Sequence, residues 1–238
     1  MSAAFQTIDL TGTAERMKSG PELLRNLRPA GGWSPQSFAR AQIRGLVRQV
    51  FFSNAARPVR QVVFSAVDSE ADIRSMCRQV GEALAADSPG SIAVAGWLPL
   101  GSQDAETYPA AMTEHAAKDE NSPLRQAGTR VRSNLWLVPA AGVCGDAVTT
   151  ALLRSHLWEL RREFEHSIVV GPAAGVSNDA TAMAQLADGV ILVLSAHHTR
   201  RATARQIKAT LEGAQARILG TVLSDRVFPI PEGIYRRL

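Results

Sequence analysis

Cysteine is almost absent from this chain: Cys77 and Cys144 are the two among 238 residues. Cys77 falls in a helical pattern and Cys144 in a glycine-rich loop, so no disulfide framework is indicated. There is no CxxC, no HExxH and no clustered Cys/His spacing, and therefore no structural metal is expected. Long apolar runs are missing too. None approaches the roughly 18 residues that would span a bilayer. The opening MSAAFQTIDLTGTAERMKSG has neither the basic start nor the apolar stretch of a signal peptide. A cytoplasmic location is the expectation, with any membrane association made through a partner. Lysine is scarce as well: of 26 basic residues only Lys18, Lys118 and Lys208 are lysine. Arginine favours carboxylate and phosphate contacts through its two-pronged fork. The arginines are nonetheless spread along the chain, the net charge is only +4, and no reading helix or aromatic-basic interleaving is present. No nucleic-acid partner is expected.

What is present is a composition of 45% apolar and 20% charged residues, which reads as globular and suits one domain with extensions. Residues 1–35 form a leader rich in Gly, Pro and Ser, flexible or used for docking through PELLRNLRP. Residues 36–238 read as a single α/β domain. Ile43, Leu46, Val47, Val50 and Phe51 recur at helical spacing. RQVVFSAV (60–67) is a strand apolar on both faces, and Ile73, Met76, Cys77, Val80 and Leu84 form the next helical stripe, ended by DSPG. SIAVAGW (91–97) is a second strand. The stretch from Leu98 to Arg132, with Pro99, Pro109 and Pro123, is expected to be irregular, as a partner surface or the vestige of a lid.

Strand character returns at 133–142. Leu152, Leu153, Leu157, Leu160 and Phe164 then form a helical face, and strands over 166–175, 190–196 and 216–224 alternate with helices over 180–189 and 200–214. Apolar strands separated by helices predict a mostly parallel central sheet covered by helices on both faces. Ligands of such sheets sit beyond the carboxyl ends of the strands. Those ends fall at 65–72, 95–101, 139–146, 171–179, 195–201 and 224–231.

At these strand ends the sequence resembles the cytoplasmic tyrosine-kinase domain of bacterial capsule and exopolysaccharide synthesis, a branch of the MinD/ParA-like P-loop ATPases. The resemblance covers roughly residues 37–238 and is clearest in FEHSIVVGPAAGVSNDATAMAQLADGVILVLSAHHTRR (164–201) and ILGTVLSDRVFPIPEGIYRRL (218–238). It implies a P-loop NTPase-like fold. In that family the first strand ends in a glycine-rich loop closing with Gly-Lys-Ser/Thr, which cradles phosphate and magnesium. Here SAVDSEADIRS (65–75) places Ser69 and Ala71 where glycines belong, Asp72 where the lysine belongs and Ile73 where the magnesium-binding hydroxyl belongs. The second strand ends in Ala95, Gly96 and Trp97 instead of an Asp-x-Asp, and Val170 stands in place of the Walker B aspartate. Ser224, followed by Asp225, replaces the asparagine that reads adenine. The helix before the first strand departs from the family's Glu-x-x-Arg-x-x-Arg ring-assembly pattern at Gln42 and Gly45 and keeps Arg48; another homodimer stays open.

The resemblance therefore implies a non-catalytic pseudo-ATPase or pseudokinase that regulates or scaffolds exopolysaccharide assembly. It would bind protein partners such as a membrane-associated polysaccharide co-polymerase and need no cofactor. Two alternatives stand beside this reading: an atypical ATP-binding tyrosine kinase or ATPase with residual ATP/ADP binding, and a MinD/ParA-like positioning or pilus-assembly adaptor. Candidate anion or partner contacts are Arg74 at a helix start, Asp179, His197, His198, Arg200 and Arg201; Tyr235 is a candidate tail phosphosite. Asp179 reads foremost as a helix-capping carboxylate. Trp97, Trp136 and Trp158 are expected to fill the core, with Trp97 as a plug of the vacated pocket or a partner contact. His156 and His166 read as packing or surface residues. Ser65 and Ser69 have no histidine in a local motif to activate them.

Overall fold

The computed structural model describes residues 35–53, 57–68, 72–96, 122–139 and 150–225. Residues 1–34 of the leader, Ser69, Ala71, Trp97, Cys144, Tyr235 and residues 98–121 of the predicted irregular stretch lie outside the described residues.

The chain folds as α1 (Pro35–Phe51), β1 (Gln61–Ala66), α2 (Ile73–Asp87), β2 (Ile92–Ala95), α3 (Pro123–Ala127), β3 (Thr129–Arg132), β4 (Leu135–Val138), α4 (Thr150–Glu163), β5 (His166–Val170), α5 (Asp179–Leu186), β6 (Gly189–Ser195), α6 (Arg201–Gly213) and β7 (Ile218–Ser224). One seven-stranded sheet has the order β3-β4-β2-β5-β1-β6-β7. All its pairings are parallel except β3 with β4. The predicted α/β class with a mostly parallel sheet is thus the observed one.

Burial explains the order. The inner strands β1, β2, β4 and β5 are buried at every position, as strands sandwiched between two helix layers must be. The edges are different. β3 (TRVR) is exposed or half-buried along its length, and β7 is half-buried except at Gly220 and Val222. One core lies between the sheet and α1 and α2, with Val47, Val50, Cys77, Val80 and Leu84 at its centre. The other lies beneath α4, α5 and α6, around Leu153, Leu157, Leu160, Met183 and Leu211. Burial pushes the Cys77 thiol well above its ordinary range, with Asp72 adding to the shift, so this cysteine is an inert core side chain.

Three expectations are corrected. The stretch 98–132 is not irregular to its end, because Pro123 opens the short helix α3 and β3 adds an antiparallel edge strand. Proline suits the first turn of a helix, where its missing N–H costs nothing. Leu152 and Trp158 are not core residues; they are 48% and 59% exposed. The buried stripe of α4 runs through Leu153, Leu157 and Leu160, a spacing that turns Leu152 and Trp158 outward. Trp136 is buried as expected, with the Arg125 and Arg130 guanidinium groups 4.9 and 5.1 Å from its ring centre.

Candidate functional site

The carboxyl ends of β1, β5, β6 and β7 lie side by side, because these four strands are consecutive neighbours in the sheet. β1 connects to β2 on one side while β6 and β7 extend the sheet on the other. The winding therefore reverses here, and a crevice at such a reversal is where open α/β sheets hold ligands.

The loop after β5 closes down on the end of β1. Gly171 N–H donates to Phe64 O at 2.8 Å and Ala174 N–H to Ala66 O at 2.7 Å. The Ser65 hydroxyl, fully buried, donates to Pro172 O at 2.6 Å. The approach is so close that a Cβ on Gly175 would stand 2.4 Å from Val67 O, so a glycine is needed there. Ser65 is thereby a buried backbone anchor, which removes it as a nucleophile.

Beside this closed loop a polar chain joins three strand ends. The Thr199 hydroxyl donates to Asp68 after β1 and accepts from Ser195 N–H at 2.8 Å. The Ser195 hydroxyl donates to Asp225 at 2.9 Å, and Ser224 donates to the same carboxylate oxygen at 2.7 Å. Asp225 adopts φ 60°, a left-handed conformation that aspartate tolerates better than most residues. This Asp68–Thr199–Ser195–Asp225 chain escaped the sequence reading. Its one visible signal is that polar residues follow directly on apolar strands.

The N-terminus of α2 completes the edge. Asp72 is its N-cap, and its carboxylate accepts from Ser75 N–H at 3.1 Å. Exposed N–H groups at a helix start attract anions, and the chain satisfies one of them with its own carboxylate. Ile73 is a buried core residue. Arg74 follows in the first turn and is half-buried. Ala95 and Val170, the last residues of β2 and β5, are buried and apolar. Such a donor set does not suit a magnesium-bound triphosphate: a carboxylate caps the helix start, and the two strand ends offer no acidic oxygen.

The other candidate residues are dispersed around this edge. His197, with φ 71°, and His198 are exposed in the turn after β6, and Arg200 and Arg201 open α6 next to them. Asp179 is corrected as a cap: it is the first residue of α5, whose N-cap is Asn178, and its carboxylate accepts from the Ser177 hydroxyl at 3.2 Å. Its charge still favours the helix start. His156 and His166 are packing residues away from this edge. Burial lowers the pKa of both: Glu159 opposes the shift at His156, and at His166 Glu165 opposes it while Arg60 adds to it.

No family model and no curated protein matches the chain. Solved structures do. The kinase domain of the Escherichia coli tyrosine kinase ETK superposes with a TM-score of 0.62 at 14% identity, covering 90% of this chain and 92% of that one. The VpsO kinase domain gives 0.61 at 17% identity, covering 81% and 98%. The MinD cell division protein of Aquifex aeolicus gives 0.52 at 15% identity, covering 71% and 70%. The chain has the P-loop NTPase-like architecture of these proteins. At such identities the likeness is one of fold.

Proposed function

We propose that this protein is a non-catalytic member of the tyrosine-kinase-like branch of that fold, acting by binding protein partners in bacterial exopolysaccharide or capsule assembly. One observation carries the loss of chemistry: Asp72 caps α2 with its carboxylate at the point where the fold's enzymes present a lysine to phosphate. Ala95 and Val170 support it, since phosphoryl transfer is catalysed almost entirely by positioning and charge neutralisation. The process is suggested by the resemblance of the strand-end sequences to the capsule and exopolysaccharide kinases; the likenesses to the ETK and VpsO kinase domains support the fold, which by itself does not fix function. The exposed turn of His197 and His198 and the adjoining Arg200 and Arg201 form the candidate partner surface on this edge.

Two assays test the reading. Purified protein incubated with labelled ATP and magnesium should transfer no phosphate to itself, Tyr235 included, or to water. The cytoplasmic part of a polysaccharide co-polymerase should be retained by the wild-type protein and lost on Arg200→Glu/Arg201→Glu. Turnover that disappears on substitution of Asp72 would overturn the proposal.

A further inference from the structure

A second feature lies on the α1 side of the same edge and does not depend on the loss of catalysis. A groove of about 310 Å³ runs between α1, the first turns of α2 and the end of β7. Its walls include Phe38 and Ile43 from α1, Met76 from α2 and Val222 from β7, and its rim carries the carboxylates of Asp72 and Asp225. Neither carboxylate forms a salt bridge to a cation among the described residues; each is held by hydrogen bonds from Ser75 N–H and from the Ser195 and Ser224 hydroxyls respectively. The groove thus combines apolar walls with two carboxylates that form no salt bridge to a described cation. What fits it is an apolar segment flanked by basic residues.

The chain itself supplies one. Asp225 both lines the groove and, directly after β7, is the last described residue, and the sequence continues Arg226-Val227-Phe228-Pro229-Ile230-Pro231 and on to Arg236, Arg237 and Leu238. We propose that the groove is the docking site of the chain's own C-terminal segment, residues 226–238, with Phe228 and Ile230 against its walls and arginines at its acidic rim. Three observations point to this occupant. The segment begins on the rim, so no linker has to be crossed. Asp225 is fixed at φ 60° by two hydroxyls, which sets the direction in which the chain leaves the sheet. Pro229 and Pro231 restrict the backbone beforehand, which lowers the entropy lost on docking.

The test uses the full chain with Phe228 replaced by photoreactive benzoylphenylalanine, irradiated at low concentration and mapped by peptide mass spectrometry. The expected product is an intramolecular cross-link to Met76 or to the Phe38–Ile43 stretch of α1. Met76→Lys should lower its yield about tenfold. Ala39→Arg does the same from an exposed position, so a folding defect of Met76→Lys leaves the test intact. Cross-links elsewhere, cross-links between two chains only, no cross-link, or a yield that neither substitution changes would each overturn docking in this groove.

Discussion

The two edges of the sheet treat their charges differently. At the amino edge Asp188 accepts from Arg60 N–H and Gln61 N–H, both at 2.8 Å, and pairs with the Arg161 guanidinium at 2.7 Å. Gln61 donates to Leu157 O and Ser167 Oγ, and the Asn134 side chain donates to Ser88 O at 2.7 Å. Each of these groups ties two or more elements together. At the carboxyl edge Asp72 and Asp225 meet only N–H and O–H donors, and no cation forms a salt bridge to either among the described residues. Charge matched in place contributes to stability, whereas charge left uncompensated is available to a partner. The difference ties the amino edge to stability and supports the proposal that a partner binds at the carboxyl edge.

The comparison breaks most readily at Asp188. Asp188→Ala strands two backbone N–H groups and a guanidinium, and urea unfolding should show a loss of about 2–3 kcal/mol. A loss under about 0.5 kcal/mol, the range of ordinary surface changes, would mean that the amino edge is no more tightly tied than the other. Gly175→Ala comes next. It forces a Cβ against Val67 O and should cost about 1–2 kcal/mol by moving the loop after β5.

Acid provides a graded version of the same test. His166 is buried against Phe51, ring centres 5.4 Å apart, and His156 is buried with neither ring nitrogen hydrogen-bonded. Both have folded-state pKa values below the unfolded one, so the unfolded chain binds more protons. Their contribution is complete above the unfolded value of about 6.5 and is lost as pH falls below it towards the folded values. The loss is at most about 1.4 kcal/mol per pH unit for each histidine. Urea midpoints measured from pH 7.5 to 5 should fall for the wild type and fall less for His166→Phe. A flat profile would contradict this.

The smallest of these effects belongs to the carboxyl edge. Asp72→Ala removes the N-cap of α2 and should cost about 1 kcal/mol, while Asp72→Asn, which keeps a capping oxygen, should cost a few tenths. Equal losses would show that charge and not the hydrogen bond holds the cap.

Most of the fold was legible because each inner strand is apolar on both faces, a pattern that only a sheet covered on both sides produces. β3 was not: Thr129-Arg130-Val131-Arg132 carries no such signal, and its pairing with β4 comes from the short turn at Ser133 and Asn134. Leu152 and Trp158 misled because each stands one residue from the buried stripe of α4, and one residue's shift turns a side chain by about 100°. At the site, the identities of Asp72, Ala95 and Val170 were readable directly. The Asp68–Thr199 contact joins residues 131 positions apart, and no local pattern announces it.

The proposed loss of nucleotide binding rests on Asp72, Ala95 and Val170. Calorimetric titration of the purified protein with ATP and ADP, with and without magnesium, tests it most directly. No saturable heat is expected up to about 1 mM nucleotide, a binding free energy weaker than about 4 kcal/mol. Saturable binding near 1 μM, about 8 kcal/mol, would contradict it and show that a phosphate cradle persists beside the Asp72 cap.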